Sequence, residues 1–160
     1  MDFGVFQIVP TDFIILLVTW IVLSIVTLQG GRGEVISGVL GGFMGLVLYE
    51  YLLKAAWISG FFASIVSNPQ QAAILFVVLV VTSYLGIRQM MLPYGSDLIA
   101  SPTQSAVLGF LSTIALLAIW MIAPHTSAIW QFGALFQNAF AASYTFFWLF
   151  GTFAMMAVFG

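Results

Sequence analysis

Glu50 and Lys54 are the residues whose types and spacing could most readily do chemistry in this chain. A Glu followed four residues later by a Lys lies on the same side of a helix, where the two charges can pair. Both lie within an apolar stretch, and ionised groups inside a membrane span are energetically expensive and often functional. One interpretation is therefore a polar site on a pathway for protons or ions. The other is a structural pair near the membrane interface, anchored by Tyr49, Tyr51 and Trp57.

Four further charges, Arg32, Glu34, Arg88 and Asp97, fall in predicted turns or at a predicted helix end. If the intervening segments are spans, all four belong to the same side of the membrane. They could then meet as a polar cluster at the mouth of a helix bundle. The alternative is that they are solvated turn residues that set the topology.

A glycine-rich run contains two overlapping GxxxG spacings, formed by Gly38 with Gly42 and by Gly41 with Gly45. Because glycine has no side chain, two helix backbones can approach closely at such a face, which suits packing in lipid. We expect these four glycines to pack against another helix, either within the chain or in a second copy.

Aromatic residues recur at three- or four-residue spacing near the C-terminus, at Phe132, Phe136, Phe140, Tyr144 and Phe147. They could form a ring-lined surface for a lipid, a quinone or a pigment, or a stripe for helix packing. His125 follows Pro124 in a short turn. A lone His without a second His, a Cys or an adjacent carboxylate is a poor metal ligand set, so we interpret it as a loop residue.

The chain carries no recognisable catalytic motif. It has no cysteine, no phosphate-binding loop and no nucleophile with a plausible His and Asp set. We therefore expect no enzymatic activity, no metal and no cofactor, with bound lipid as the expected ligand. Without a basic patch, nucleic-acid binding is not expected either.

The composition places these residues in a membrane. Hydrophobic residues make up 62% of the 160-residue chain and charged residues only 5%, whereas soluble domains carry about 25% charge. From Leu98 to Gly160 there is no Asp, Glu, Lys or Arg. A water-soluble domain cannot cover its surface without charge, so these residues must face lipid or protein.

The apolar runs and their Gly and Pro breaks predict an all-α protein with one integral-membrane domain of about five transmembrane helices. A span needs roughly 20 apolar residues. The predicted spans cover residues 13–29, 35–57, 72–92, 105–123 and 140–159, with 128–139 interfacial or re-entrant. The alternative topology has four spans and a long final interfacial helix.

The few charges also suggest an orientation. With five spans, Arg32 and Arg88 fall on one side, which the positive-inside rule makes cytoplasmic. The N-terminus is then outside and the C-terminus cytoplasmic, in what we expect to be a prokaryotic cytoplasmic membrane. Lys54 argues mildly for the opposite orientation, although it can snorkel outward or pair with Glu50.

Two segments carry a family resemblance. Asp12–Leu16 opens the first span, and Gly31–Ser37 places an Arg-Gly turn and a Glu before a glycine-rich helix. This pattern resembles the colicin V production protein family of small bacterial inner-membrane proteins, over residues 11–55 and more loosely 84–120. The chain departs from the family at Leu98, where members carry an Arg, and in its long aromatic C-terminal segment. The resemblance implies a multi-span protein with a role in export or envelope physiology and supplies no catalytic residues.

These observations favour a non-catalytic accessory or structural subunit of a larger membrane complex, acting through helix packing. One alternative is a self-associating channel or a transport or export component, with a charged path near Glu50, Lys54 and Arg88. Another is a subunit of a redox or pigment complex. The expected partners are membrane lipid and either further copies of the chain or other membrane subunits.

Overall fold

The structure is a computed structural model that describes residues 11–54, 67–95, 101–123 and 125–159. Within these ranges it consists of helices and short connections, without a β-strand. The prediction of an all-α fold is confirmed. The described α-helices are α1 (Thr11–Gly30), α2 (Arg32–Lys54), α3 (Pro69–Gly95), α4 (Pro102–Ile122), α5 (Ala134–Ala139) and α6 (Ala142–Phe159), with a 3₁₀ turn at Thr126–Ala128.

Local sequence signals explain several helix ends. Gly31 alone separates α1 from α2, and its φ of 80° lies in the left-handed region that glycine adopts without steric cost. At the start of α3, the Asn68 side chain accepts a hydrogen bond from the Gln70 backbone N–H (3.0 Å), and Pro69 occupies the first helical position. Ser101 and Gln104 form a capping box at the start of α4, again with a Pro at the first position.

The helices differ from the predicted spans mainly at their ends. α3 continues to Gly95, past the expected limit at residue 92, and so includes Pro93. The predicted span 35–57 includes three residues, 55–57, that lie outside the described residues. The segment 128–139, predicted to be interfacial or re-entrant, contains the short helix α5.

Four helices, α1 to α4, are long and apolar enough to cross a membrane. The apolar part of α6, Ser143–Val158, is shorter than these four. The chain is therefore an all-α polytopic membrane protein. The choice between four and five spans depends on α6, which at 1.5 Å per residue is about 27 Å long, close to the thickness of the hydrocarbon core.

α4 is the central helix of the described bundle. Of its apolar window 56% is buried, against 6% for α1. α4 contacts α1, α2 and α6, while α2 forms its most extensive contact with α3. Met156 of α6 joins Val39 and Leu108 in one core cluster, and Tyr49 joins Phe76 and Ile119 in another.

The up-and-down course of the helices sorts the polar residues to the two ends of the bundle. The C-terminus of α1, the N-termini of α2 and α4, and the C-terminal part of α3 share what we call the arginine end, which carries Arg32 and Arg88. The opposite end, which we call the tryptophan end, carries Trp120, Trp130 and the 3₁₀ turn.

Candidate functional site

Two of the predicted packing glycines make a close helix contact between α2 and α3. A Cβ atom on Gly41 would lie 2.7 Å from the Tyr84 Cα, and one on Gly45 would lie 2.8 Å from the Val80 Cα. Real Cβ atoms do not approach backbone this closely, so α2 and α3 can pack in this way only because both positions are glycine. Gly41 and Gly45 are one turn apart on α2, as Val80 and Tyr84 are on α3.

The other two glycines have different surroundings. A Cβ on Gly42 would lie 3.2 Å from Ile119 Cδ1 of α4, and one on Gly38 would meet nothing within 4 Å. The contacts observed for this face are therefore internal to the chain, and Gly38 does not take part in them.

The α2–α3 contact leads directly to an ionic cluster at the arginine end. Arg88 Nε donates a hydrogen bond to Glu34 Oε1 at 2.7 Å, and the Tyr84 hydroxyl donates one to Glu34 Oε2 at 2.8 Å. The Glu34 side chain is only 15% exposed. Both carboxylate oxygens are thus occupied by charge-assisted or strong hydrogen bonds, which compensate for the partial burial of the charge.

Arg32 belongs to the same end but points to another helix. Its Nη2 atom donates a hydrogen bond to Gln104 Oε1 at 2.7 Å. Gln104 also completes the capping box of α4, since its Oε1 accepts from the Ser101 N–H and its own N–H bonds to Ser101 Oγ, both at 3.3 Å. The interaction therefore ties the start of α2 to the start of α4.

The remaining predicted site residues lie apart from this cluster. Glu50 and Lys54 pair at 3.2 Å, but their side chains are 51% and 73% exposed, and the pair lies at the end of α2 remote from Arg32. Asp97 lies outside the described residues. The structure thus brings Glu34 and Arg88 together and separates both from Glu50 and Lys54.

A second close contact joins α1 to α4. A Cβ on Gly109 would overlap the side-chain hydroxyl of Ser24 and would lie 2.7 Å from its backbone N. Nearby, the Trp20 indole N–H donates a hydrogen bond to the Ala106 carbonyl oxygen at 2.9 Å, and its ring meets Phe110 edge to face. These contacts hold α1 against α4. The only buried residue described in α1 is Thr27.

Grooves open on both sides of the Ser24–Gly109 contact. Toward the tryptophan end, an apolar cavity of about 350 Å³ lies between α1 and α4 and beneath Trp130 and Phe132. Toward the arginine end, a groove of about 310 Å³ is lined by residues that include Leu28, Pro102 and Ser105. Two threonines, Thr19 and Thr113, face the larger cavity.

Residues 129–133, which we call the roof segment, cover the larger cavity. The Gly133 N–H donates to Asp12 Oδ2 at 2.7 Å, and the Trp120 indole N–H donates to the Trp130 carbonyl oxygen at 3.2 Å. Phe132 is buried in a cluster with Leu117 and Ala118 of α4. The roof segment is thus fixed to α1 by a carboxylate and to α4 by an indole.

The predicted aromatic stripe divides into two parts. Phe132, Phe136 and Phe140 are buried at the tryptophan end, whereas Tyr144 and Phe147 of α6 are exposed. His125 lies in the turn before the 3₁₀ turn with φ of 65°. Among the residues that the structure describes, no group of three or more His, Cys, Asp or Glu side chains is arranged to hold a metal ion.

The sequence contained signals for some of the residues that we did not predict. Tyr84 lies one turn before Arg88, a spacing that places both on one helix face. Ser101 and Gln104 match the capping-box pattern. The contact of Asp12 with Gly133 and that of Ser24 with Gly109 had no local signal, because each joins residues far apart in the chain.

The fold and these contacts define a small all-α polytopic membrane protein whose polar residues are concentrated at the two ends of its helix bundle. No family model matches the sequence, and no match is found among curated proteins or among solved structures. The resemblance of residues 11–55 to the colicin V production protein family stays a prediction.

Proposed function

We propose that the chain is a non-catalytic accessory subunit of a larger membrane complex and that it acts through helix packing. One observation carries this proposal. The candidate ionisable residues pair at opposite ends of the bundle, Glu34 with Arg88 at one end and Glu50 with Lys54 at the other. A continuous charged path between them therefore has no support in the described residues.

The hydroxyl groups of the bundle interior support the same reading. Thr27 and Ser37 are buried, and each hydroxyl donates to the carbonyl oxygen four residues earlier in its own helix, at 2.7 and 2.6 Å. Such bonds satisfy the hydroxyl within its own helix and leave a small, compact surface for helix packing.

The uneven burial of the spans suggests where a partner binds. α1 is apolar along its length, but the rest of the chain buries only 6% of its apolar window. Its polar anchors, Trp20 and Asp12, face α4 and the roof segment. We propose that the opposite face of α1 packs against a partner helix, with lipid covering the remaining exposed faces.

The second candidate is a self-associating channel or transport component. The hydroxyls of Ser105 and Ser112, two turns apart on α4, are buried and have no hydrogen-bond partner among the described residues. Polar groups left unpaired in a protein interior often mark a functional feature, so this observation keeps the candidate open.

One measurement separates the candidates. Purification of the full chain from its native membrane in a mild detergent, followed by native mass spectrometry, gives the composition of the assembly. Different proteins bound in fixed ratio support the subunit proposal, and copies of this chain alone support self-association. A monomeric chain would contradict both. An absorption spectrum of the same sample reveals a pigment or haem and thereby tests the redox-complex alternative.

A further inference from the structure

We propose that the cavity beneath the roof segment binds a neutral amphiphile with a single apolar chain. The apolar chain would occupy the cavity between α1 and α4, and the uncharged polar head would lie beside Gln131 and Gln137 at the tryptophan end. This inference is independent of the proposed subunit function, since a monomer and a complex would contain the same cavity.

The larger cavity, which we call the apolar chamber, has a lining suited to an apolar chain. Apart from two threonines, its lining consists of aliphatic and aromatic side chains. The hydroxyls of Thr19 and Thr113 both donate to carbonyl oxygens of their own helices, at 2.8 Å each. The volume of about 350 Å³ lies within the range of about 300–1,000 Å³ that is common for small-ligand sites. An apolar chain satisfies such a lining, whereas a polar ligand would lose hydrogen bonds there.

A neighbouring cavity, which we call the polar chamber, has a different lining. It has a volume of about 270 Å³ and shares Trp120, Trp130 and Phe132 with the apolar chamber. Its other lining residues include hydroxyl and amide side chains, namely Thr126, Ser127, Gln131 and Gln137. The two chambers therefore lie side by side at these aromatic side chains, and a ligand that passed between them would place an apolar part in one and a polar part in the other.

The charges near the two chambers favour an uncharged ligand. Neither chamber is lined by Lys or Arg among the described residues, and the ionisable side chain bonded to the roof segment is the carboxylate of Asp12. The lining of the two chambers offers no cation to an anionic headgroup, and Asp12 places a negative charge nearby. Neutral hydrogen-bonding groups therefore favour an uncharged head.

The roof segment is held in place by hydrogen bonds to two helices. Asp12 and Trp120 fix its backbone from two different helices, and Phe132 is only 7% exposed. Tryptophans are also typical of the level where acyl chains meet headgroups. Trp120 and Trp130 line the polar chamber, and by this criterion it lies near the level of the headgroups.

The test uses the full chain, stripped of lipid by detergent exchange and titrated with monooleoylglycerol, with bound adducts counted by native mass spectrometry. We expect one saturable adduct. Thr19→Phe fills the apolar chamber from α1 and should weaken binding about tenfold or more, because excluding two methylene groups is enough for that loss.

The matched control is Thr82→Phe. Thr82 lies on an exposed part of α3, away from both chambers, and its hydroxyl makes the same kind of bond to the carbonyl oxygen of Val78 (3.0 Å). This variant should bind like the unmodified chain. If Thr19→Phe alters the thermal unfolding of the protein, Ile15→Trp is used instead, with Val78→Trp as its control.

Three results would overturn the proposal. The first is adduct numbers that rise without saturation, which indicates lipid on the outer surface only. The second is equal binding by the Thr19→Phe and unmodified proteins. The third, with oleate as the probe, is binding as tight as that of monooleoylglycerol, which would contradict a neutral head.

Discussion

The α2–α3 and α1–α4 helix pairs both pack closely at glycine residues, but the surroundings of the two contacts differ. Both rely on glycine at the closest point, Gly41 and Gly45 in one pair and Gly109 in the other. The α2–α3 contact extends over two successive turns and continues into the Glu34 cluster. The α1–α4 contact is flanked by a cavity on one side and a groove on the other. The difference indicates that α2 and α3 pack over a longer contact than α1 and α4 do.

Among the variants that test this comparison, Gly41→Leu should have the largest effect on stability. The new side chain would overlap the backbone of Tyr84, so the two helices must separate and lose their shared contacts. We expect the free energy of unfolding to fall by about 3 kcal/mol. The measurement is a titration of the detergent-solubilised protein with sodium dodecyl sulfate. The control is Gly38→Leu on the same helix, where a Cβ meets nothing within 4 Å. A similar loss in Gly38→Leu would show that the α2–α3 contact is not decisive.

A comparison of two alanine variants sharpens the difference between the helix pairs. In Gly109→Ala the methyl group displaces Ser24, but α1 can shift because grooves adjoin the contact. In Gly41→Ala the contact offers no such space. We expect losses of about 1 and about 2 kcal/mol, respectively, in the same titration. Equal losses, or a larger loss for Gly109→Ala, would contradict the view that α1 is held more loosely.

Tyr84→Phe tests the ionic cluster with a smaller change. It removes the hydroxyl that donates to Glu34 and keeps the ring, so the stability of the protein should fall by about 1 kcal/mol. Tyr51→Phe is the control, since Tyr51 is 69% exposed on the same bundle. Glu50→Gln should also leave stability close to unchanged, because exposed ion pairs contribute little. A greater loss of stability in Glu50→Gln than in Tyr84→Phe would contradict our expectation that the Glu34 cluster contributes more to stability than the Glu50–Lys54 pair.

Asp12→Ala should have the smallest effect on global stability and a local effect on the roof segment. The variant removes the acceptor of the Gly133 N–H, so hydrogen exchange at that amide should accelerate. Exchange in the middle of α2 should be unchanged. Unaltered exchange at Gly133 would mean that Asp12 does not hold the roof in place.

The sequence was sufficient to predict that the chain is helical and lies in a membrane. Long apolar runs and the positions of Gly and Pro carry this information locally. The start of α4 carries an equally local signal, because Ser101, Pro102 and Gln104 are close together in the chain, but the predicted span began at residue 105. Helix direction also placed Arg32 and Arg88 at one end of the bundle.

The contacts between helices could not be predicted in the same way. Four glycines in eight residues of α2 define a close-packing face without fixing how the helix is rotated against its neighbours. In the structure, Gly41 and Gly45 contact α3, Gly42 lies next to α4, and a Cβ on Gly38 would meet nothing within 4 Å. The partner of Glu34 lies 54 residues away, and the cavity beneath the roof segment depends on residues from three separate parts of the chain.

The most direct test of the proposed subunit function is photo-crosslinking in the native membrane from two matched positions. Val18 on α1 and Val78 on α3 are valines of nearly equal exposure, 53% and 51%, in helices long enough to span the membrane. A photoreactive residue at Val18 should give an adduct of discrete protein mass, whereas one at Val78 should give lipid adducts. Lipid adducts alone at both positions would contradict a partner helix on α1.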